Sequence, residues 1–108
     1  MNRQIVSKLF VCFVSLILPV TAFAQTQLAN LYNDRGFTKQ QMGDLDGAIA
    51  DCNQAIKLDP NHGKAYQTRA IAERRKGDLN GALADYNQAI ELYEKIRLQL
   101  LPRSRLQI

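Results

Sequence analysis

The residues that could carry chemistry in this chain are few: one histidine, His62, two cysteines, Cys12 and Cys52, and a group of carboxylates, Asp44, Asp46 and Asp51. A zinc site needs several Cys, His or carboxylate ligands at short, fixed spacings. His62 stands in Pro60-Asn61-His62-Gly63 without a cysteine or histidine partner at such a spacing, so it reads as a turn residue. The three aspartates surround a position where a helix is expected to start, and negative charge suits the unpaired N–H groups there. No glycine-rich phosphate loop is present, since Gly43 and Gly47 belong to a turn and to the first turn of the following helix. Aromatic and basic residues do not interleave in the manner of RNA-binding surfaces. The chain therefore reads as a non-enzyme, with no cofactor, no metal site and no nucleic-acid partner.

The elements that carry these residues are written twice. Residues 43–56 read Gly-Asp-Leu-Asp-Gly-Ala-Ile-Ala-Asp-Cys-Asn-Gln-Ala-Ile, and the pattern returns 34 residues later with 11 of 14 positions identical. A fixed period of this length marks stacked structural units. Cys52 falls where the second unit has Tyr86. It reads as a small core residue on a helix, the sharper alternative being an intermolecular disulfide in an oxidising compartment. The formal charge is +4, but from Gln25 onward 12 Lys and Arg stand against 10 Asp and Glu. A surplus of +2 describes a mixed, solvated surface.

The first 24 residues form an address. Arg3 and Lys8 precede an apolar run over 9–20, Pro19 breaks the helix near the end of that run, and Ala22-Phe23-Ala24 supplies a small-x-small ending. These are the parts of a secretory signal peptide, with cleavage expected between Ala24 and Gln25. The 12-residue run is short for a membrane anchor, which needs about 20 apolar residues. Cys12 lies inside the run, which argues against a lipoprotein. The expected address is the periplasm or the exterior.

In the remaining chain, 25–28 is a polar lead-in. Residues 28–42 read as a first helix with Leu31, Tyr32, Phe37 and Met42 as its larger apolar residues. Gly43 ends it and Asp44 caps the next. Residues 45–58 place Leu45, Ala48, Ile49, Cys52, Ala55 and Ile56 on one face at spacings of three and four, and Pro60 closes the unit. The second unit runs from a helix over 64–76, with Tyr66, Ala70 and Ile71, through Gly77-Asp78 to a helix from Leu79. That last helix carries Ala82, Leu83, Tyr86, Ala89 and Ile90 on its apolar face. Without a breaker before Pro102 it either continues to about Leu101 or gives way near Glu94 to a short extra helix, and Tyr93, Ile96 and Leu100 extend its stripe. A short basic tail follows.

The chain resembles the tetratricopeptide-repeat family, whose 34-residue helix–turn–helix units stack into a right-handed array. Tyr32 and Tyr66 match the aromatic that opens each unit, Gly36 and Ala70 the small residue where the two helices meet, and Ala48, Ala82, Ala55 and Ala89 the small positions of the second helix. The closing proline is matched at Pro60 only. Arg35 and Arg69 depart from the family's leucine, and Lys39 and Glu73 from an aromatic. Because Asp51 and Asp85 also recur, each arginine is expected to pair with an aspartate of a neighbouring helix.

The resemblance implies an all-α solenoid of two units, 29–62 and 63–96, with an extended C-terminal helix that caps the stack, its end and the tail lying at 97–108. It also implies a module that binds a peptide or partner protein on the concave face. The positions carried over are Asn30, Asn33, Phe37 and Gln40 in the first unit and Lys64, Gln67, Ile71 and Arg74 in the second. The family's clamp for a chaperone-tail carboxylate is missing, since Asn33 and Phe37 occupy its positions. Two units are fewer than the three that usually bury a continuous core. The alternatives are therefore self-association into a homo-oligomer through Tyr93, Ile96 and Leu100, or a shortened remnant of a longer array.

Overall fold

A computed structural model describes residues 3–102, with side chains described from 19 to 102. The tail over 103–108 lies outside the described residues, as do the side chains of most of the apolar run and of Cys12. Four helices follow in order: α1 (Arg3–Gln41), α2 (Leu45–Leu58), α3 (Gly63–Lys76) and α4 (Leu79–Leu100). α1 packs on α2, α2 on α3 and α3 on α4, and α1 also meets α3 across the stack.

The repeated turns explain the register. Gly43 and Gly77 adopt φ of 87° and 94°, a left-handed conformation open to glycine at little cost. Each is followed by an aspartate that caps the next helix. Asp44 accepts from the Gly47 N–H and Asp78 from the Gly81 N–H, both at 3.0 Å. α3 is capped by His62, whose Nδ1 accepts from the Ala65 N–H at 3.1 Å. A ring nitrogen that accepts carries no proton, so Nε2 is the protonated one and donates to Asn30 Oδ1 at 2.8 Å. His62 is thus a turn residue that also ties α3 to α1.

α1 departs from the sequence expectation. It runs unbroken through Pro19 and through 25–28, the segment read as a lead-in. Proline removes one backbone hydrogen bond and strains its preceding turn. Here nothing downstream reinforces the break, because no glycine, Asp or Asn cap stands between Pro19 and Ala29. α4 is likewise continuous to Leu100 and does not give way near Glu94.

The core is built almost wholly from small side chains. Ala29, Ala48, Ala55, Ala65, Ala70, Ala72 and Cys52 are fully buried, and Cys52 is the largest residue so enclosed. Burial pushes the Cys52 thiol up to about 12, which with its full enclosure leaves it an inert core residue in the native state. Short side chains let the helix axes approach closely. A Cβ added at Gly36 would stand 3.2 Å from the Ala48 carbonyl oxygen and from Cys52 Sγ, so α1 and α2 touch almost backbone to backbone there. Tyr32, Ile56 and Leu58 close over the cluster of Ala29, Ala55 and Ala65.

Several larger apolar residues lie elsewhere than expected. Leu31 and Met42 are exposed, and the buried stripe of α1 is Ala29, Asn33, Gly36 and Gln40. In α4, Leu79, Leu83 and Ile90 are exposed, whereas Leu45, Ile49 and Ile56, which occupy the corresponding places on α2, are half-buried. The difference is positional: α3 covers α2, and nothing in the described chain covers that side of α4. Leu92, which the sequence reading passed over, is buried.

Candidate binding cleft

α1 and α3 run alongside one another because polar ties join them at three levels. His62 reaches Asn30 near the start of α3. Thr68 Oγ1 donates to Asn33 Oδ1 at 3.0 Å. Arg75 donates to the Gln40 carbonyl oxygen at the end of α1, which also accepts from the Gly43 N–H at 3.1 Å. Between these ties the side chains part and leave a cleft of about 290 Å³ lined by Asn33, Asp34, Phe37, Lys64, Gln67, Thr68 and Ile71.

Five of the eight positions expected to face a partner therefore meet on one wall: Asn33, Phe37, Lys64, Gln67 and Ile71. The other three stand elsewhere. Asn30 is half-buried and engaged by His62. Gln40 is 2% exposed and faces inward. Arg74 is exposed but does not line the cleft. The basic run Arg74-Arg75-Lys76 is divided, because Arg75 holds the end of α1 and Lys76 pairs with Asp46. Asp34 and Thr68 line the cleft without having been singled out. Asp34 follows the buried Asn33, so only the exact rotation of α1 decides that it reaches the wall.

The arginine–aspartate pairs exist and support the cleft from behind. Arg35 grips Asp51 with two bonds of 2.8 and 2.7 Å, and Arg69 grips Asp85 with two of 2.6 and 2.7 Å. Each guanidinium also lies over the tyrosine that opens its unit, 5.4 Å from the Tyr32 ring centroid and 5.5 Å from that of Tyr66. In the first unit Lys39 adds a second cation to Asp51 at 3.1 Å, and hydrogen bonding from Arg35 holds the Asp51 carboxyl below its ordinary range. The second unit has Glu73 at the matching place. Burial first, and then the neighbouring Asp85 charge, push Glu73 up to about 7 against the opposing pull of Arg69. One of its carboxyl oxygens is buried without a hydrogen-bond partner.

Glu73 has a consequence for stability. Its folded pKa lies above the unfolded one, so its contribution is fully present below about pH 4.5 and is lost as pH rises through about 7. Glu73→Gln, which mimics the protonated form, is expected to raise stability at pH 8 by about 1–2 kcal/mol, several degrees in melting temperature. The gain should vanish at pH 4.5, where both proteins carry a neutral side chain there. Melting curves by circular dichroism at the two pH values check this, and an equal shift at both would refute it.

A family model described as Tetratricopeptide repeat matches residues 27–95. The chain belongs to the tetratricopeptide-repeat family. Its four helices without strands among the described residues form the all-α, two-unit solenoid characteristic of that family. Tetratricopeptide repeats generally mediate protein–protein interaction and are typically non-enzymatic, which agrees with the sparse chemistry of the sequence. No curated protein matches the chain. Among the described residues no helix is long and apolar enough to cross a membrane, and no group of His, Cys, Asp or Glu could hold a metal ion.

Proposed function

We propose that this tetratricopeptide-repeat protein binds an extended segment of a partner protein in the α1–α3 cleft. The observation that carries the reading is the convergence there of one exposed and one half-buried apolar side chain with amide, ammonium and carboxylate groups. Phe37, 49% exposed, and Ile71 supply apolar contact from opposite helices. Gln67 can both donate to and accept from a peptide backbone, while Lys64 and Asp34 offer one charge of each sign. At about 290 Å³ the cleft lies at the small end of ligand sites. That size suits two or three side chains of a peptide laid across the helices.

A peptide selected from a random display library against the protein provides the probe. Truncating both apolar residues, Phe37→Ala with Ile71→Ala, is expected to weaken its binding at least tenfold, in line with the usual loss at central interface positions. Unchanged affinity, measured by fluorescence anisotropy, would place binding elsewhere.

We also propose that the protein acts after export, with the segment before Gln25 removed. The basic start, the apolar run and Ala22-Phe23-Ala24 support this. The product recovered from a bacterial periplasm should begin at Gln25 by intact mass. A product retaining Met1 would refute the assignment.

A further inference from the structure

The second unit ends on an uncovered face, and the first unit begins with an uncovered edge that fits it. We propose that this chain stacks head to tail with a second copy of itself, α1 of one copy taking on α4 of the next the place that α3 takes on α2.

The internal repeat provides the template. Within the chain, α3 covers α2 by placing Ala65 in the cluster with Ala29 and Ala55 on which Ile56 packs, and by Arg69 donating to Asn53 Oδ1 at 2.8 Å. α3 is tied to α1 through Thr68 and Asn33. Moving each residue by the 34-residue period gives the contacts between copies. Leu31 stands for Ala65 and meets Ile90 of the next copy. Arg35 stands for Arg69 and meets Asn87. Asp34 stands for Thr68 and meets Gln67. In every pair a donor faces an acceptor or apolar faces apolar.

Both surfaces are open in the single chain. Leu83 and Ile90 are 61% and 60% exposed, and Leu79 at the same face is 66% exposed. On α1, Leu31 is 65% exposed and lines a shallow concavity of about 230 Å³ with Leu28, Tyr32 and Arg35. Arg35 holds its aspartate as Arg69 does, yet its side chain is 60% exposed against 22% for Arg69. The missing cover is the residue that would correspond to Asn53.

The larger Leu31 and Tyr86, in place of Ala65 and Cys52, set the copies somewhat farther apart than the units, within the usual 8–10 Å spacing of packed helices. The helices also extend in matching directions. After processing, α1 keeps only residues 25–28 upstream of Ala29, while α4 continues downstream of Glu94, and the antiparallel register sets these two ends side by side. Because the two surfaces differ, the contact is heterologous and open-ended, and it is distinct from a self-complementary contact through Ile96 and Leu100.

Sedimentation velocity of the chain as processed and purified tests this, over a concentration series up to about 1 mM (the weak end of specific association). The wild type should show a mass that climbs with concentration without stopping at a dimer. Leu83→Glu and Leu31→Glu, both at exposed positions and checked for helicity by circular dichroism, should each remain monomeric. Mixed in equal amounts they should form a 1:1 heterodimer and nothing larger, since one retains a working α1 edge and the other a working α4 face. That complementation also shows that both variants are folded. A monomeric wild type, association of either variant equal to that of the wild type, or absence of a heterodimer in the mixture would each overturn the proposal.

Discussion

Arg69→Leu is expected to cost about 3–5 kcal/mol at neutral pH, the usual penalty for breaking a buried ion pair. The guanidinium is 22% exposed and stands between two carboxylates, bonded to Asp85 and 3.9 Å from Glu73. Without it the two acids face one another with side-chain exposures of only 9% and 16%. Either one must take up a proton or the helices must part to admit water. The loss should shrink markedly near pH 4.5, where Glu73, already pushed up to about 7 by burial and Asp85, is neutral. A small domain has only about 5–15 kcal/mol in total, so the variant is expected to be close to unfolded at pH 8.

Arg35→Leu, the same change one unit earlier, should leave stability nearly unchanged, as is usual for a solvent-exposed ion pair. Arg35 is 60% exposed, and Lys39 remains beside Asp51 to carry the opposing charge. Urea titrations of the two variants at pH 7.5 and 4.5 separate these cases. Equal effects of the two substitutions would refute the distinction.

Leu92→Ala is expected to cost about 2–5 kcal/mol, the range for truncating a buried leucine where surrounding helices relax only in part. Leu92 is 5% exposed and is the single branched aliphatic side chain among the described buried residues, the others in the core being alanines and Cys52. A core of alanines gains from close helix contact but encloses little apolar area per residue. One leucine then carries an unusual share of what area there is. It also anchors α4 at the level where the first unit's helix stops, at Leu58. Leu100→Ala, at a position 79% exposed, should change stability by less than about 0.5 kcal/mol. Urea unfolding checks both, and a neutral Leu92→Ala would show that α4 is held by other contacts.

The parts of this fold that were legible in the sequence are those fixed by local chemistry. Gly43-Asp44 and Gly77-Asp78 announce a left-handed turn and a cap, and the structure has both. Recurrence of Arg with Asp announced the ties behind the cleft, because a charge repeated at one place in both units needs a partner repeated with it. The stripe of α1 was not legible. Its inward face is Ala29, Asn33, Gly36 and Gln40, so the side of the helix that packs is no more apolar than the side that does not. Periodicity reads hydrophobic contrast, and close packing through small and amide residues supplies almost none.

The amides show the same limit at the cleft. Asn30 and Gln40 share helical spacing with Phe37, yet Asn30 is spent on His62 and Gln40 is enclosed. Which amide faces outward depends on the rotation of α1 about its axis, and sequence alone does not fix that angle. Leu83 and Ile90 failed for a different reason. Their spacing is that of a buried face, and the face is present, but no element of the described chain covers it. The pattern of one unit describes a repeat with neighbours on both sides, and the last unit has only one within the chain.

The most direct test of the proposed function is a backbone ¹⁵N–¹H correlation spectrum of the processed protein titrated with the selected peptide. Binding in the cleft predicts that the largest shift changes fall on Asp34, Phe37, Gln67 and Ile71 and their immediate neighbours. Changes concentrated instead on Leu79, Leu83 and Ile90, or spread evenly over the four helices, would contradict it.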